Sequence, residues 1–422
     1  MKQVASSDQP VGGPAPLAGL RVLDMSRVLA GPWAAQQLGD LGADVVKIEA
    51  PGLGDDARQL GVAAGDADAK SSKGRNSNFY LACNRNKRSI VVDLSKTEGK
   101  SLVLELVRNC DVIVENFKAG GMARLGLGWD VLSEANPRLI HCSVTGFGQD
   151  GPYAAQPAYD FIMQAMTGMM STCGLPDGLP GATPVRTAIP VTDLVTGYQA
   201  TVAIMGALIQ RAVTGKGQFI DAAMLDASVA FNVHLAQGYL MGLGVPSRQG
   251  NNNPIAAPSG VFQSSDGWLV IAAGNDRQFA SLCSVLELDA IRDKEEFSSN
   301  AARVRNRAEL HTYIEPVVRS QSSASLRQRL QSAGVPCTKI NDMEATFEDV
   351  QVRHRQMVVH VSQAEDGAAV PILRSALNMS NYEVTYKAPP MLGQHTAEVL
   401  KEWGGVDEAG LRSLVEAQAV VL

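Results

Sequence analysis

From residue 20 onwards, short runs rich in Val, Ile and Leu alternate with stretches whose apolar residues recur every three or four positions. Residues 21–25, 44–49, 89–94, 111–117 and 139–144 read as strands, with helices over 33–42 and 96–109 between them. In 96–109, Leu102, Val103, Leu106 and Val107 share one side while Glu105 and Arg108 can face water, the pattern of an amphipathic crossover helix. Such alternation predicts an α/β fold with a mostly parallel sheet. Two further apolar helices are expected over 160–171 and 193–212, each opened by an aspartate, Asp160 or Asp193, where an N-cap is favoured. Residues 227–247 carry no Asp, Glu, Lys or Arg, but Asn232, His234, Gln237, Gly242 and Pro246 interrupt them. They read as a buried helix and a turn, not as a membrane span. Beyond them the pattern changes: 260–263 and 268–272 flank Ser264-Ser-Asp-Gly267 as a hairpin, and charged helical periodicity follows to Arg319. A smaller α+β domain is therefore expected over 226–330. Residues 334–337 open a strand, and 392–396 lead into a final helix.

Composition narrows the functional classes. Acidic residues outnumber basic ones by 43 to 37, giving a net charge of −6, and no Lys/Arg block stands out. A nucleic-acid or anionic-membrane partner is disfavoured. Cys83, Cys110, Cys142, Cys173, Cys283 and Cys337 are scattered, with no C-x-x-C and no regular histidine spacing, so neither a zinc site nor a disulfide scaffold is predicted. Reduced thiols fit a cytoplasmic location. The first 20 residues lack an apolar h-region and an Arg-rich amphipathic pattern and read as a flexible lead-in.

Candidate chemistry is sparse. None of the six histidines belongs to a G-x-S-x-G or H-E-x-x-H pattern, and Ala30-Gly-Pro32 after the first strand departs from G-x-G-x-x-G, which disfavours a nicotinamide cofactor. Carboxylates remain. Asp193, at the start of an apolar helix, can be a plain N-cap or an ionised nucleophile favoured by the helix dipole, and Asp160 carries the same two readings. Arg27, Arg85, Lys87, Arg88 and Arg124 lie near strand ends, where ligands of open α/β sheets gather, although each also suits a solvated surface.

Several ordered segments then resemble a known family. They are residues 19–32 (GLRVLDMSRVLAGP), 38–49 (LGDLGADVVKIE), 84–90 (NRNKRSI), 111–117 (DVIVENF), 145–148 (TGFG) with Gly151-Pro152, 158–161 (AYDF), 192–197 (TDLVTG) and 214–218 (TGKGQ). The chain resembles CoA-transferase family III, the CaiB/BaiF group, from about Leu17 to the C-terminus. Within the group its wording is closest to the succinate–hydroxymethylglutarate and related dicarboxylate CoA-transferases.

The resemblance implies a Rossmann-like, CoA-binding large domain over 17–225, with 331–422 returning to it, and an interlocked homodimer. It implies CoA as substrate with no tightly bound cofactor, an acyl-CoA donor such as succinyl-CoA, and a small carboxylic acid as acceptor. Asp193 falls on the family nucleophile, which forms an anhydride and then an aspartyl-CoA thioester, and Asp160 on an acidic neighbour. Leu29, Ala30, Asn116, Phe117 and Arg124 fall on CoA-binding positions; Arg27, at a strand end, is added as a candidate for the acceptor carboxylate. Leu29 and Leu60 replace a glutamine and a tryptophan of formyl-CoA transferases, which disfavours oxalate. Residues 253–258 (NPIAAP) replace a pliable glycine-rich loop. Tyr159 stands where racemase relatives carry a histidine, and an unperturbed Tyr pKa of about 10 disfavours racemase chemistry at neutral pH. Racemase-type proton transfer and a non-catalytic CoA binder remain the alternatives.

Overall fold

A computed structural model describes residues 13–62, 76–362 and 369–422; most of the expected lead-in falls outside them. The chain divides into two units, the first made of Met1–Gly168, Thr187–Leu240 and Gln356–Leu422, the second of Met169–Arg186 and Met241–Arg355.

The first unit is built on a seven-stranded sheet: β1 (Arg21–Asp24), β2 (Asp44–Glu49), β3 (Lys87–Val92), β4 (Val112–Glu115), β5 (Ile140–Thr145), β6 (Gln218–Ala223) and the C-terminal β12 (Val420–Val421). The order is β12-β3-β2-β1-β4-β5-β6, with every pairing parallel except β12 on β3. Strands covered on both faces have to be apolar at successive positions, and the period of two sends alternate residues to opposite layers. Leu23, Val46 and Ile113 accordingly join a cluster with Leu106 and Trp403 on one face, while Val22, Val45 and Val112 join Leu38 and Ile204 on the other. The expected amphipathic helix forms at Thr97–Arg108 and buries Leu102, Val103, Leu106 and Val107.

Boundaries moved where local chemistry overrode periodicity. The helix expected over 160–171 stops at Met166 and resumes at Met169–Thr172, because Gly168 takes the left-handed region (φ 87°). The long helix begins two residues early and runs Val191–Thr214, ending on Gly215 at φ 73° with its N–H on the Arg211 carbonyl. The stretch expected to be a buried helix forms two short helices, Met224–Phe231 and Val233–Leu240, and Phe231, Tyr239, Leu240 and Leu243 lie exposed. A charge-free sequence specifies a surface that avoids water, not one covered by its own chain. No helix among the described residues is long and apolar enough to cross a membrane. An antiparallel pair, β10 (Val358–Ser362) and β11 (Ala369–Leu373), precedes the helix expected to be last, Thr396–Gly404, which is followed by Glu408–Glu416 and by β12.

The second unit holds the three-stranded antiparallel sheet β7 (Ser259–Ser264), β8 (Gly267–Ala272) and β9 (Cys337–Lys339). The predicted hairpin closes between Ser264 and Gly267. Its core joins Phe262, Leu269, Phe279, Leu310 and Leu326. The 253–258 loop is pinned here: Arg303, fully buried, donates to the Ala257 carbonyl (2.8 Å), and Ala257 N–H donates to Asn300 Oδ1 (3.1 Å).

Candidate active site

The strand order places β2 and β3 on one side of β1 and β4 to β6 on the other, so the loops after β1 and β4 diverge. In open α/β sheets that divergence leaves a ligand crevice at the carboxyl ends of the strands. Here the two loops are stitched together: Arg27 N–H donates to Asn116 Oδ1 (2.9 Å) and Asn116 Nδ2 donates back to the Arg27 carbonyl (2.7 Å). The next residue, Val28, has φ 70°, a left-handed conformation that costs a β-branched side chain about 1–3 kcal/mol. Its N–H donates to Asp55 Oδ1 (2.9 Å), which also accepts from Ala57 N–H (2.8 Å). The bend delivers Leu29 and Ala30, both buried, to the crevice wall at the start of helix Ala30–Asp40.

A buried ionic network holds Asp55. Lys47 Nζ lies 2.8 Å from Asp55 and donates to the Ser26 carbonyl (2.7 Å), and Lys87 Nζ lies 2.8 Å from Asp24. Burial opposes ionisation of Asp55 and Asp24, but the neighbouring lysines prevail and hold both carboxyls below the usual range. Arg58 extends the network: it pairs with Glu49 (2.7 Å), donates to Tyr80 Oη (2.6 Å) and stacks over that ring, 3.7 Å from its centroid. Glu49 also accepts from Asp55 N–H (2.9 Å) and Ser89 Oγ (2.6 Å).

The two aspartates stand differently from two N-caps. Pro190 precedes the long helix, and Asp193 is its third residue. Asp160 is the first residue of its own helix and caps the other one, accepting from Thr192 N–H (2.9 Å), Thr192 Oγ1 (2.8 Å) and Gln164 Nε2 (2.7 Å). It satisfies an orphan donor in the first turn of Val191–Thr214. Helix Ala30–Asp40 packs closely on the turn that follows: a Cβ on Gly197 would sit 2.7 Å from the Ala30 carbonyl, and Trp33 meets Tyr198 edge-on at 5.7 Å. Asp193 is brought to the crevice in this way. Among the described residues nothing donates a hydrogen bond to its carboxylate. Burial first, and the charge of Asp160 second, push it up to about 7.

Leu29, Ala30, Asn116, Phe117, Tyr159 and Asp193 line one cleft of about 180 Å³ together with Arg27, Asp56 and Lys118. A second hollow of about 360 Å³ continues along the ends of β1 to β4 and shares Arg27, Asn116 and Phe117. Asp160 stands behind the cleft, reaching it through Thr192 and Asp193. Arg124 ends the short helix Gly121–Arg124 outside both walls, exposed, its guanidinium 3.4 Å from the Ala119 carbonyl. Leu60 is also exposed and lines neither hollow.

Three of the cations read as ligands or surface charges are neither. Arg85 is buried on Asp40 (2.5 Å) and Lys87 on Asp24, while Arg88 is largely enclosed by Asp44, Glu398 and Glu402. Sequence reasoning missed Val28, Lys47, Asp55, Asp56 and Lys118. One signal was available: Lys47 and Glu49 follow the apolar pair Val45-Val46 within a short strand, and a buried strand tolerates them only when both charges are paired. Among the described residues no group of three His, Cys, Asp or Glu side chains is arranged to hold a metal ion.

Known proteins agree with this architecture. The chain is 43% identical over 391 residues to a succinate–glutarate CoA-transferase of Agrobacterium fabrum, covering 92% of this chain and 95% of that protein. It is 37% identical over 406 residues to the human succinyl-CoA:glutarate CoA-transferase, covering 96% and 90%. A CaiB/BaiF family protein from Brucella suis superposes with a TM-score of 0.81 at 39% identity, over 93% of this chain and 100% of that one. The model of CoA-transferase family III matches residues 17–396. With nine-tenths of its length matched and a crevice at the sheet's switch point, the chain belongs to CoA-transferase family III.

Proposed function

We propose that the protein moves CoA from succinyl-CoA to a dicarboxylic acid such as glutarate, with Asp193 as the nucleophile. The observation that carries this reading is a carboxylate with no hydrogen-bond donor, partly buried, in the wall of the cleft at the β1/β4 divergence. The relatives' names supply the substrate class. An Asp193 oxygen attacks the thioester carbonyl, the C–S bond breaks, and CoA leaves as thiolate with an aspartyl–succinyl anhydride formed. The thiolate attacks the aspartyl carbonyl and expels succinate, leaving an aspartyl-CoA thioester. The acceptor carboxylate attacks that thioester, thiolate leaves again, and its return to the acceptor's acyl carbon releases the new CoA ester and free Asp193. Each step exchanges groups of similar acyl-transfer potential, so no external energy source or strong general base is required.

In this reading Leu29, Ala30, Asn116 and Phe117 flank the CoA chain, Arg124 meets nucleotide phosphates, and Arg27 takes the acceptor's carboxylate. CoA acts as substrate, and no resident cofactor is needed. A second copy of the chain covers the exposed apolar side chains Val202, Ile209 and Val213 of the long helix together with Phe231 and Leu240. The scattered cysteines suit the reducing cytoplasm. Mass spectrometry after mixing with succinyl-CoA and trapping with hydroxylamine or borohydride should place a modification on the peptide containing Asp193, and native spectra should show two chains. No adduct, with α-deuterium exchange of a 2-methylacyl-CoA in D₂O, would transfer the assignment to racemase chemistry.

The pH dependence tests the carboxylate pair. Attack needs ionised Asp193, so the rate of acyl-enzyme formation should rise with pH through about 7. Asp160→Asn removes one of the two causes of that elevation while keeping an oxygen for Thr192. The rising limb should move to lower pH; an unmoved limb in stopped-flow profiles would show that Asp160 does not tune the nucleophile.

A further inference from the structure

Arg27 and Asp56 face each other across the mouth of the Asp193 cleft at 2.8 Å, and both line it. Their side chains are 66% and 57% exposed, so the pair belongs to the surface class, worth little and readily exchanged. The roots of the two side chains are fixed nonetheless. Arg27 is held by both amide bonds to Asn116, and Asp56 opens the 3-10 helix Asp56–Gln59, whose cap Asp55 is locked by Glu49 and Lys47. The contact to Asp56 engages one guanidinium nitrogen. A carboxylate that meets the guanidinium with two parallel bonds therefore outbids one that makes a single bond.

We propose that Asp56 is a built-in placeholder for the substrate's remote carboxylate, occupying Arg27 until a dicarboxylate displaces it and so weakening dicarboxylate binding while leaving monocarboxylic acids unaffected. The inference rests on the CoA-transfer reading above. A dicarboxylate spanning the cleft presents one carboxylate to Asp193 and the other to Arg27, releasing Asp56 to water at small cost. A monocarboxylate of equal length leaves the Arg27–Asp56 pair intact and gains nothing from it. Arg27 thus confers the preference for a second carboxylate, and Asp56 moderates it through competition, with no contact to the reacting atoms.

The test is steady-state kinetics of Asp56→Asn with saturating succinyl-CoA and glutarate or pentanoate as acceptor. The KM for glutarate should fall about two- to fivefold, the range set by a surface ion pair, while that for pentanoate stays unchanged. In an Arg27→Gln background the Asp56 substitution should no longer alter the glutarate KM. An unchanged glutarate KM, a parallel fall for pentanoate, or a gain that persists without Arg27 would each overturn the proposal. The underlying CoA-transfer reading fails on a different result, the absence of a trapped Asp193 adduct.

Discussion

Asp193→Asn should abolish the trapped adduct and lower the transferase rate by about 10⁴-fold or more, the scale of losing a covalent nucleophile. An amide oxygen cannot form the anhydride, and no other carboxylate in the cleft replaces it, since Asp56 is paired with Arg27 and Asp160 stands behind the wall with its oxygens engaged. Asp193→Ala should match it, which guards against slow deamidation of the asparagine. Retention of more than a tenth of the activity in both variants would remove Asp193 from the mechanism. The same substitution should raise stability at alkaline pH. Folding lifts this carboxyl from 3.8 to about 7, so the folded chain binds more protons than the unfolded one between those values. Stability is therefore lost as pH climbs through that window, and the loss is complete above about 7. Removing the charge should raise Tm at pH 8, by about 1–3 kcal/mol in free energy after allowing for partial exposure, and leave it unchanged near pH 4. Equal shifts at both pH values would show that packing, and not ionisation, decides the result.

Arg58→Met should destabilise the first unit by about 3–5 kcal/mol, the cost of leaving a buried charge without its partner. Arg58 and Glu49 are both enclosed, and the arginine also serves Tyr80, Asn76 and the Pro390 carbonyl. Burial works against ionised Glu49, and Arg58, Lys47 and Ser89 together bring its carboxyl below the usual range. That lowering contributes stability above the unfolded pKa and is lost as pH falls through the folded one, so the gap between native and variant Tm should narrow on acidification. Activity should fall with stability, because Glu49 fixes Asp55 N–H and Asp55 fixes the left-handed Val28 before Leu29. The double variant Glu49→Gln with Arg58→Met should recover part of the loss, since no bare charge then remains. A single-variant loss under 1 kcal/mol by thermal or urea unfolding would refute the role given to the pair.

The order of strands and helices in the first half of the chain was legible because apolar periodicity is a local property: β1, β2, β4 and β5 and the helix Thr97–Arg108 sit within a few residues of where the pattern puts them. The motif series likewise identified the family from residue order alone. Reading Asp160 and Asp193 as N-caps failed, because a cap is defined by where a carboxylate finds donors, and Asp160 finds them on a helix 32 positions away. The pairings of Lys87 with Asp24 and Arg58 with Glu49 were hidden for the same reason: they span 63 and 9 positions, and only sheet register and loop return bring the partners together. By itself the sequence determined which segments avoid water and which side chains can react. The tertiary structure decided which carboxylate loses both solvent and hydrogen-bond donors, since desolvation depends on every chain segment packed around the group and no single segment encodes it.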